Sequence, residues 1–331
     1  MKQKVLVLAN FEIFFIRDDT DIIRSFAPTE FYNTTEQGLI SFRLLREIFS
    51  CSHIYIWFAS AHSLFPALLS RMFGKKVIVV SGGYDTARVG EINYGHAGNG
   101  LKGIVSKLVL KFAQKVIVNS KHSEKEMLNF YPGAKKKLAV IPHRIKHREP
   151  SVKPERDPKL FITVIRMNKM NYYRKKVSLL KEIAKRMPEF NFRHIGLVLP
   201  EIEQEFNNNR PDNFISVGHQ DEEQLWEWYY KASLLLAPSW HEGFGLTTVE
   251  ALAGGCISVI SGAGAQDEVT LGEAVIIESD DPDEWVKTLK NFSINASERE
   301  QKRKKILDFY KESNRVEQLK KVFEETGLAV N

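Results

Sequence analysis

Short apolar runs alternate with longer stretches of helical periodicity along the whole of this chain, and that alternation constrains its fold more than any other feature. In the first half the runs are 4–9, 53–57, 77–81, 115–119 and 138–141. They are too short for helices and apolar on both faces, as strands inside a parallel sheet must be. Helical patterns over 39–49 and 63–73 lie between them, and Gly74 ends the second as a helix-stopping glycine does. After Ile141-Pro142 the pattern lapses into a charged stretch with Pro150 and Pro154, which reads as a linker over 147–157. A second series follows, with strands at 160–165, 192–199, 214–217, 234–237, 257–260 and 274–277. Helices are expected at 177–187, 222–231 and 247–253, and a single long charged one over about 297–326. The fold class is therefore α/β, with two doubly wound domains. The expected boundaries are 1–146, the linker, 158–312, and a terminal helix at 313–331 that packs back across the junction. Ligands of such sheets bind beyond the carboxyl ends of the strands, so two facing domains are expected to share a cleft.

A length of 331 residues with 43% hydrophobic content suits two globular cores. No run approaches 18 apolar residues, and the N-terminal apolar segment stops at Asn10 and Glu12, too soon for a signal peptide or a membrane span. A cytoplasmic protein is expected. Cys51 and Cys256, one in each half and without metal-ligand spacing, read as core fillers. Charge is uneven. Residues 1–150 hold 22 Lys and Arg against 12 Asp and Glu, whereas 151–331 hold 25 against 29. Lys102, Lys107, Lys111 and Lys115, beside Ile104, Val105, Leu108 and Phe112, suit an amphipathic helix facing an anionic acceptor or a membrane surface, and equally a solvated lysine face. The basic balance brings no helix-turn-helix, zinc or RNA-recognition motif with it, so nucleic acid is not an expected partner.

The segment richest in chemistry runs Pro238-Ser-Trp-His-Glu242-Gly-Phe-Gly245-Leu-Thr-Thr-Val-Glu250 and on through Gly254-Gly255. A buried strand ends near Pro238, a turn carries Glu242, and Gly243, Phe244 and Gly245 lead into a helix containing Glu250. A glycine-opened helix N-terminus aims backbone N–H groups and the positive end of its dipole outward, which suits a diphosphate. A carboxylate offers two acceptors to vicinal hydroxyls of ribose or hexose.

This pattern, Pro-Ser-x-x-Glu-Gly-Phe-Gly-Leu-x-x-x-Glu-Ala-x-Ala-x-Gly with Glu268-Val after the next strand, closely resembles glycosyltransferase family 4 across residues 158–290. The resemblance implies the GT-B fold and a retaining, metal-independent transfer of a hexosyl group from a nucleotide-sugar donor. It implies that Glu242 contacts the donor sugar near the reacting carbon and that Glu250 holds the ribose. Gly243, Phe244, Gly245, Leu246 and Thr247 belong to the same donor site, the backbone N–H groups of Phe244–Thr247 facing the donor. It also implies that Arg166, and Lys175 or its competitor Lys169, reach the diphosphate, where fixed cations stabilise the leaving group's growing charge. Val217-Gly218-His219 resembles the segment whose backbone reads the base, and His219 reads as a loop residue.

The first half resembles the family only in architecture and fragments, notably Val116-Ile-Val-Asn-Ser120. Asn10-Phe11-Glu12 stands where a glycine pair is usual, and Gly82-Gly83-Tyr84-Asp85 where a histidine often lies. Gly82, Gly83, Tyr84, Asp85 and His96 are offered as sugar or acceptor contacts, against a tight turn capped by Asp85. Two Asp-x-Asp triplets, Asp19–Asp21 and Asp281–Asp283, read as solvated loops, so neither cofactor nor metal is expected. An epimerase or phosphorylase on the same scaffold, and a non-catalytic nucleotide-sugar binder, remain open. The acceptor, glycan, lipid-linked or small, is not identified. An anionic membrane surface is the further partner considered.

Overall fold

The computed structural model describes residues 3–330. The chain divides into two units, Met1–Arg144 with Glu312–Asn331, and Ile145–Lys311. Each is built on one six-stranded sheet.

In the first unit the strands are β1 (Val5–Ala9), β2 (Thr29–Asn33), β3 (His53–Trp57), β4 (Lys76–Ser81), β5 (Lys115–Val118) and β6 (Leu138–Val140). They pair in the order β2-β1-β3-β4-β5-β6, all parallel. Both faces are buried because apolar residues occupy consecutive positions. Leu6, Leu8, Ile54, Ile56, Val77 and Val79 pack in one core cluster, and Val5, Val7, Tyr55, Trp57, Ile78 and Val80 in another. β2 escaped the sequence reading because Thr-Glu-Phe-Tyr-Asn is largely polar, which an edge strand tolerates.

The second unit holds β7 (Asp157–Val164), β8 (Asn191–Ile195), β9 (Phe214–Ser216), β10 (Ala232–Ala237), β11 (Ile257–Ile260) and β12 (Val275–Ile276). Their order is β12-β11-β10-β7-β8-β9, again all parallel. The order reverses between β7 and β10, the place where doubly wound sheets bind ligands. In the first sheet the corresponding reversal lies between β1 and β3.

Three expectations are corrected. The stretch expected as a linker packs into the second unit from Ile145 onward. Arg156 donates to the carbonyls of Tyr229, Ala232 and Gly254, tying the segment to strand and helix ends. The terminal charged stretch is two helices, Ala296–Phe309 in the second unit and Glu312–Glu325 in the first. Buried Tyr310 ends the former, its hydroxyl donating to the carbonyl of Val269 at 2.7 Å. The first Asp-x-Asp triplet is not a solvated loop either, whereas the second is exposed at a helix start. Asp19 is buried in the helix Phe14–Arg24 and pairs with Arg315 at 2.7 Å, while Asp281 caps the helix Pro282–Asn291. Both cysteines are buried, and burial raises the Cys51 thiol to about 11 and the Cys256 thiol to about 12. Among the described residues no helix is long and apolar enough to cross a membrane.

Candidate functional site

The glycine-rich turn lies at the strand-order reversal of the second sheet. β10 ends at Ala237, the turn follows, and the helix Leu246–Ala253 begins after Gly245, whose φ of +89° is the left-handed conformation glycine adopts without strain. Gln266 donates to the carbonyl of Ala237 at 2.9 Å, and the Ser261 hydroxyl accepts from Ser239 N–H at 3.0 Å and donates to Ser239 O at 2.6 Å. The turn is thus pinned from the loop after β11. Gly264 presses on it from the same side: a Cβ there would sit 2.3 Å from the Glu242 carbonyl oxygen.

Held in this way, Glu242 is buried and its carboxylate is crowded with donors. Oε1 lies 2.5 Å from Lys175 Nζ and 2.9 Å from Arg174 Nη1, and accepts from the Ser239 hydroxyl at 2.9 Å. Burial by itself would raise its pKa, but the charges of Arg174 and Lys175 outweigh burial and hold it at about 2. Lys175 is shifted downward by burial, which its pairing with Glu242 offsets only in part. Arg174 is fixed in turn by donating to the His241 carbonyl at 2.8 Å and to Asn171 Oδ1 at 3.1 Å.

Glu250 sits one turn into the helix in a different setting. Its carboxyl accepts from the buried Tyr229 hydroxyl at 3.1 Å. No cation offsets its burial, which raises its pKa to about 8 despite that hydrogen bond. The two glutamates therefore carry opposite shifts, one fixed as an anion and the other held as a neutral acid near pH 7.

Arg166 follows β7 and is exposed, its carbonyl accepting from Asn171 Nδ2 at 2.8 Å. Lys169 is exposed at the start of the helix Lys169–Arg174, whereas Lys175 meets Glu242. Lys176 has φ +47°, a backbone conformation that favours glycine. Gly218 also has positive φ, +77°, and its carbonyl accepts from Gly196 N–H at 2.8 Å, while His219 after it is exposed. Phe244 is buried, with its ring 5.9 Å from that of Tyr310. Gly243, Leu246 and Thr247 are partly buried around the helix start. Sequence reasoning missed Arg174, Ser239, Ser261, Gly264 and Gln266. Arg174, beside Lys175 in a basic triplet, and Ser239, three residues before Glu242 in the same pattern, left signals that spacing could have found.

In the first unit a separate cavity of about 700 Å³ opens at the reversal of that sheet. Asn10, Thr34 and Ser60, from the carboxyl ends of β1, β2 and β3, line it with His62, His96 and Lys102. Asn10 Oδ1 is buried without a hydrogen-bond partner. His96 reaches the Ser106 hydroxyl at 2.8 Å and is lowered in pKa by burial, and by Lys102 nearby. Gly82 packs under Phe58, where a Cβ would lie 2.2 Å from the ring, and Gly83 turns at φ +101°. Tyr84 sets its ring edgewise to those of Tyr94 and His96, each 4.9 Å away. Asp85, offered from sequence as a sugar or acceptor contact, is 1% exposed with both oxygens accepting hydrogen bonds inside the first unit. It accepts from Ala59 N–H at 3.0 Å and from the Ser81 hydroxyl at 2.8 Å.

Residues 144–307 match the family model of glycosyl transferases group 1. No curated protein matches the sequence. Solved structures do match the fold over nearly the whole chain. Anabaena HepE, crystallised in complex with UDP and glucose, is similar at TM-score 0.77 and 12% identity over 99% of this chain and 100% of its own. Sucrose-phosphate synthase from Thermosynechococcus elongatus gives TM-score 0.75 and 15% identity, over 98% and 99% of the two chains. The lipopolysaccharide outer core galactosyltransferase WaaB, in its apo form, gives 0.67 and 13%, over 98% and 100%. The fold is GT-B, with two Rossmann-like domains. The family match and these neighbours together support a glycosyltransferase.

Proposed function

We propose that this chain is a retaining, metal-independent hexosyltransferase of family 4 type, taking a sugar from a nucleoside-diphosphate donor to an acceptor bound by the first unit. One observation carries the reading: Glu242, an anion held by Lys175 and Arg174, stands at the strand-order reversal of the second sheet, directly before a glycine-opened helix. In this reading the diphosphate lies at that helix start, against the N–H groups of the turn and first helical turn, with Arg166 and Lys175 supplying positive charge. As the glycosidic bond breaks, charge grows on the departing diphosphate, and these cations stabilise it as a divalent ion would elsewhere. Glu242 faces the sugar and stabilises positive charge at its anomeric carbon, and Glu250 holds the ribose hydroxyls.

Lys175 is favoured over Lys169 as the phosphate lysine because it meets Glu242 beside the glycine-rich turn, whereas Lys169 is exposed. The Gly218-His219 turn is assigned to the base. HepE was crystallised with UDP, which makes UDP the first nucleotide to test here. A ligand at about 100 times its dissociation constant stabilises a protein by about 2.7 kcal/mol. UDP, GDP and ADP are therefore to be compared by thermal shift, followed by turnover of the matching sugars in excess chelator. One nucleotide is expected to stabilise the protein, Lys175→Ala to weaken it by roughly 1.5–3 kcal/mol, and turnover to survive chelation. Unaltered binding by Lys175→Ala, or activity that returns only with added magnesium or manganese, would contradict the proposal.

A further inference from the structure

The reading above leaves a surface of the first unit unused. Three helices, Phe42–Ser50, Ala61–Met72 and Gly100–Phe112, lie side by side on one face of its sheet, the middle one packing against both others. Apart from Ser50, Ala61 and Gly100, their exposed residues are of two kinds. One kind is large and apolar: Phe42 (84% exposed), Leu101 (75%), Met72 (71%) and Ile104 (57%), with Leu108, and with Phe49 stacked edgewise on Phe73 at 4.7 Å. The other kind is cationic: Arg43, Arg46, Arg71, Lys102, Lys107 and Lys111 are all exposed. The only acidic residue in the three helices, Glu47, is buried and paired with Lys4 and Arg46. Leu101 and Ile104 are one helical turn apart and Leu108 one turn further, so they form a single stripe.

Contiguous exposed apolar surface on a soluble unit marks an interaction site, and apolar side chains interleaved with lysine and arginine fit the boundary between lipid headgroups and acyl chains. A protein partner would need acidic groups placed to match this arrangement of cations. An anionic bilayer supplies that complement at any orientation. The 700 Å³ cavity opens onto the same surface: Leu101, Lys102 and Val105 line it from the third helix, and Leu39, half exposed, lines it beside Ile40, which is 73% exposed. Its lining is mainly apolar, with polar groups of His62, His96, Lys102 and the unpartnered Asn10 Oδ1 set into it.

We propose that this three-helix face docks on an anionic membrane surface and that the cavity receives the polar head of an amphiphilic, lipid-linked acceptor presented from it. The second part rests on the transferase reading; the docking does not. The test is co-sedimentation of the full chain with phosphatidylcholine vesicles, with and without phosphatidylglycerol, at low and high salt. Two double variants avoid the cavity lining: Phe42→Ser with Ile104→Ser, and Lys107→Glu with Lys111→Glu. Both change exposed positions, and retained UDP binding with an unchanged melting temperature checks their fold.

Binding is expected only with the anionic lipid, to weaken with salt, and to fall by roughly tenfold or more in each variant. Transfer to an acceptor embedded in vesicles should fall with it, while hydrolysis of the nucleotide-sugar should not. Failure of the parent to bind anionic vesicles, or binding that both variants retain, overturns the docking. A dimer in sedimentation that Phe42→Ser with Ile104→Ser dissociates overturns it too, since a second copy would then cover the face. Vesicle binding without turnover of any nucleotide-sugar would sink the transferase reading and leave the docking standing.

Discussion

Glu242 and Glu250 lie eight residues apart in one turn-helix segment, yet their surroundings separate them completely. Cations outweigh burial at the first, holding it at about 2; burial prevails at the second, raising it to about 8. The account expects the two to fail differently on substitution. Glu242→Ala should cut kcat by roughly tenfold or more with little change in donor affinity, the mark of charge stabilisation lost from the transition state. Glu250→Ala should chiefly raise the donor KM, the mark of lost uniform binding. Steady-state kinetics with the donor varied decides this, and equal effects of both substitutions on kcat would refute the division of roles. The shifts also have opposite consequences for stability. Glu242 is lowered on folding, so its contribution is present above about 4.5 and is lost as pH falls toward about 2. Glu250 is raised, so its contribution is full below about 4.5 and is lost as pH rises through about 8. Glu250→Gln should therefore gain stability relative to the parent between those pH values, by about 1 kcal/mol or more at pH 8. Denaturant unfolding at pH 5 and pH 8 checks it; a difference independent of pH would mean that the partly buried Glu250 carboxyl does not titrate in that range.

The elements that position these side chains were legible to different degrees. Strands buried on both faces announced themselves as apolar runs, and the turn-helix segment stood out because two glutamates flank its glycines within one local pattern. Edge strand Thr29–Asn33 was invisible, since a half-exposed strand can be polar. The boundary between Phe309 and Glu312 was hidden too, because charge alternates across it and only the burial of Tyr310 shows where the helix stops. The loop after β11 lay beyond reach for another reason: its role depends on the sheet order that brings distant loops to one turn. Gly264 is the clearest case. Its φ of +70° and its approach to the Glu242 backbone make it a support for the site that no motif marks. Gly264→Ala should destabilise the protein by about 1–3 kcal/mol and displace Glu242, lowering kcat more than it weakens nucleotide binding. Kinetics and calorimetry on the one variant test this; full turnover in a stably folded Gly264→Ala protein would show that the turn is not held from that side.

At the scale of the whole chain the two units repeat one architecture and divide the chemistry. The second, net acidic in sequence, carries the glycine-opened helix and paired glutamates that fit a nucleotide-sugar. The first, net basic, carries a cavity with a few polar groups in a mainly apolar lining, and the cationic apolar face. The chain's last helix belongs to the first unit, where buried Arg315 pairs with Asp19 and donates to the carbonyls of Ile141 and Pro142 at 2.9 and 2.8 Å. Sequence made the repeated α/β plan and the donor segment readable because both are local patterns. One helix of the cationic face was readable as an amphipathic lysine pattern, but the cavity and the joining of three helices into one face were not, as each is assembled from segments far apart in the chain. The central claim is transfer with retained configuration by residues of this chain alone. An inverting enzyme needs a general base opposite the leaving group, whereas here Glu242 is committed to its cations and fits a stabilising role. The most direct measurement is proton NMR of the first-formed product from the nucleotide-sugar that stabilises the protein best. The account predicts the same anomeric configuration in product as in donor, and an inverted product would contradict it.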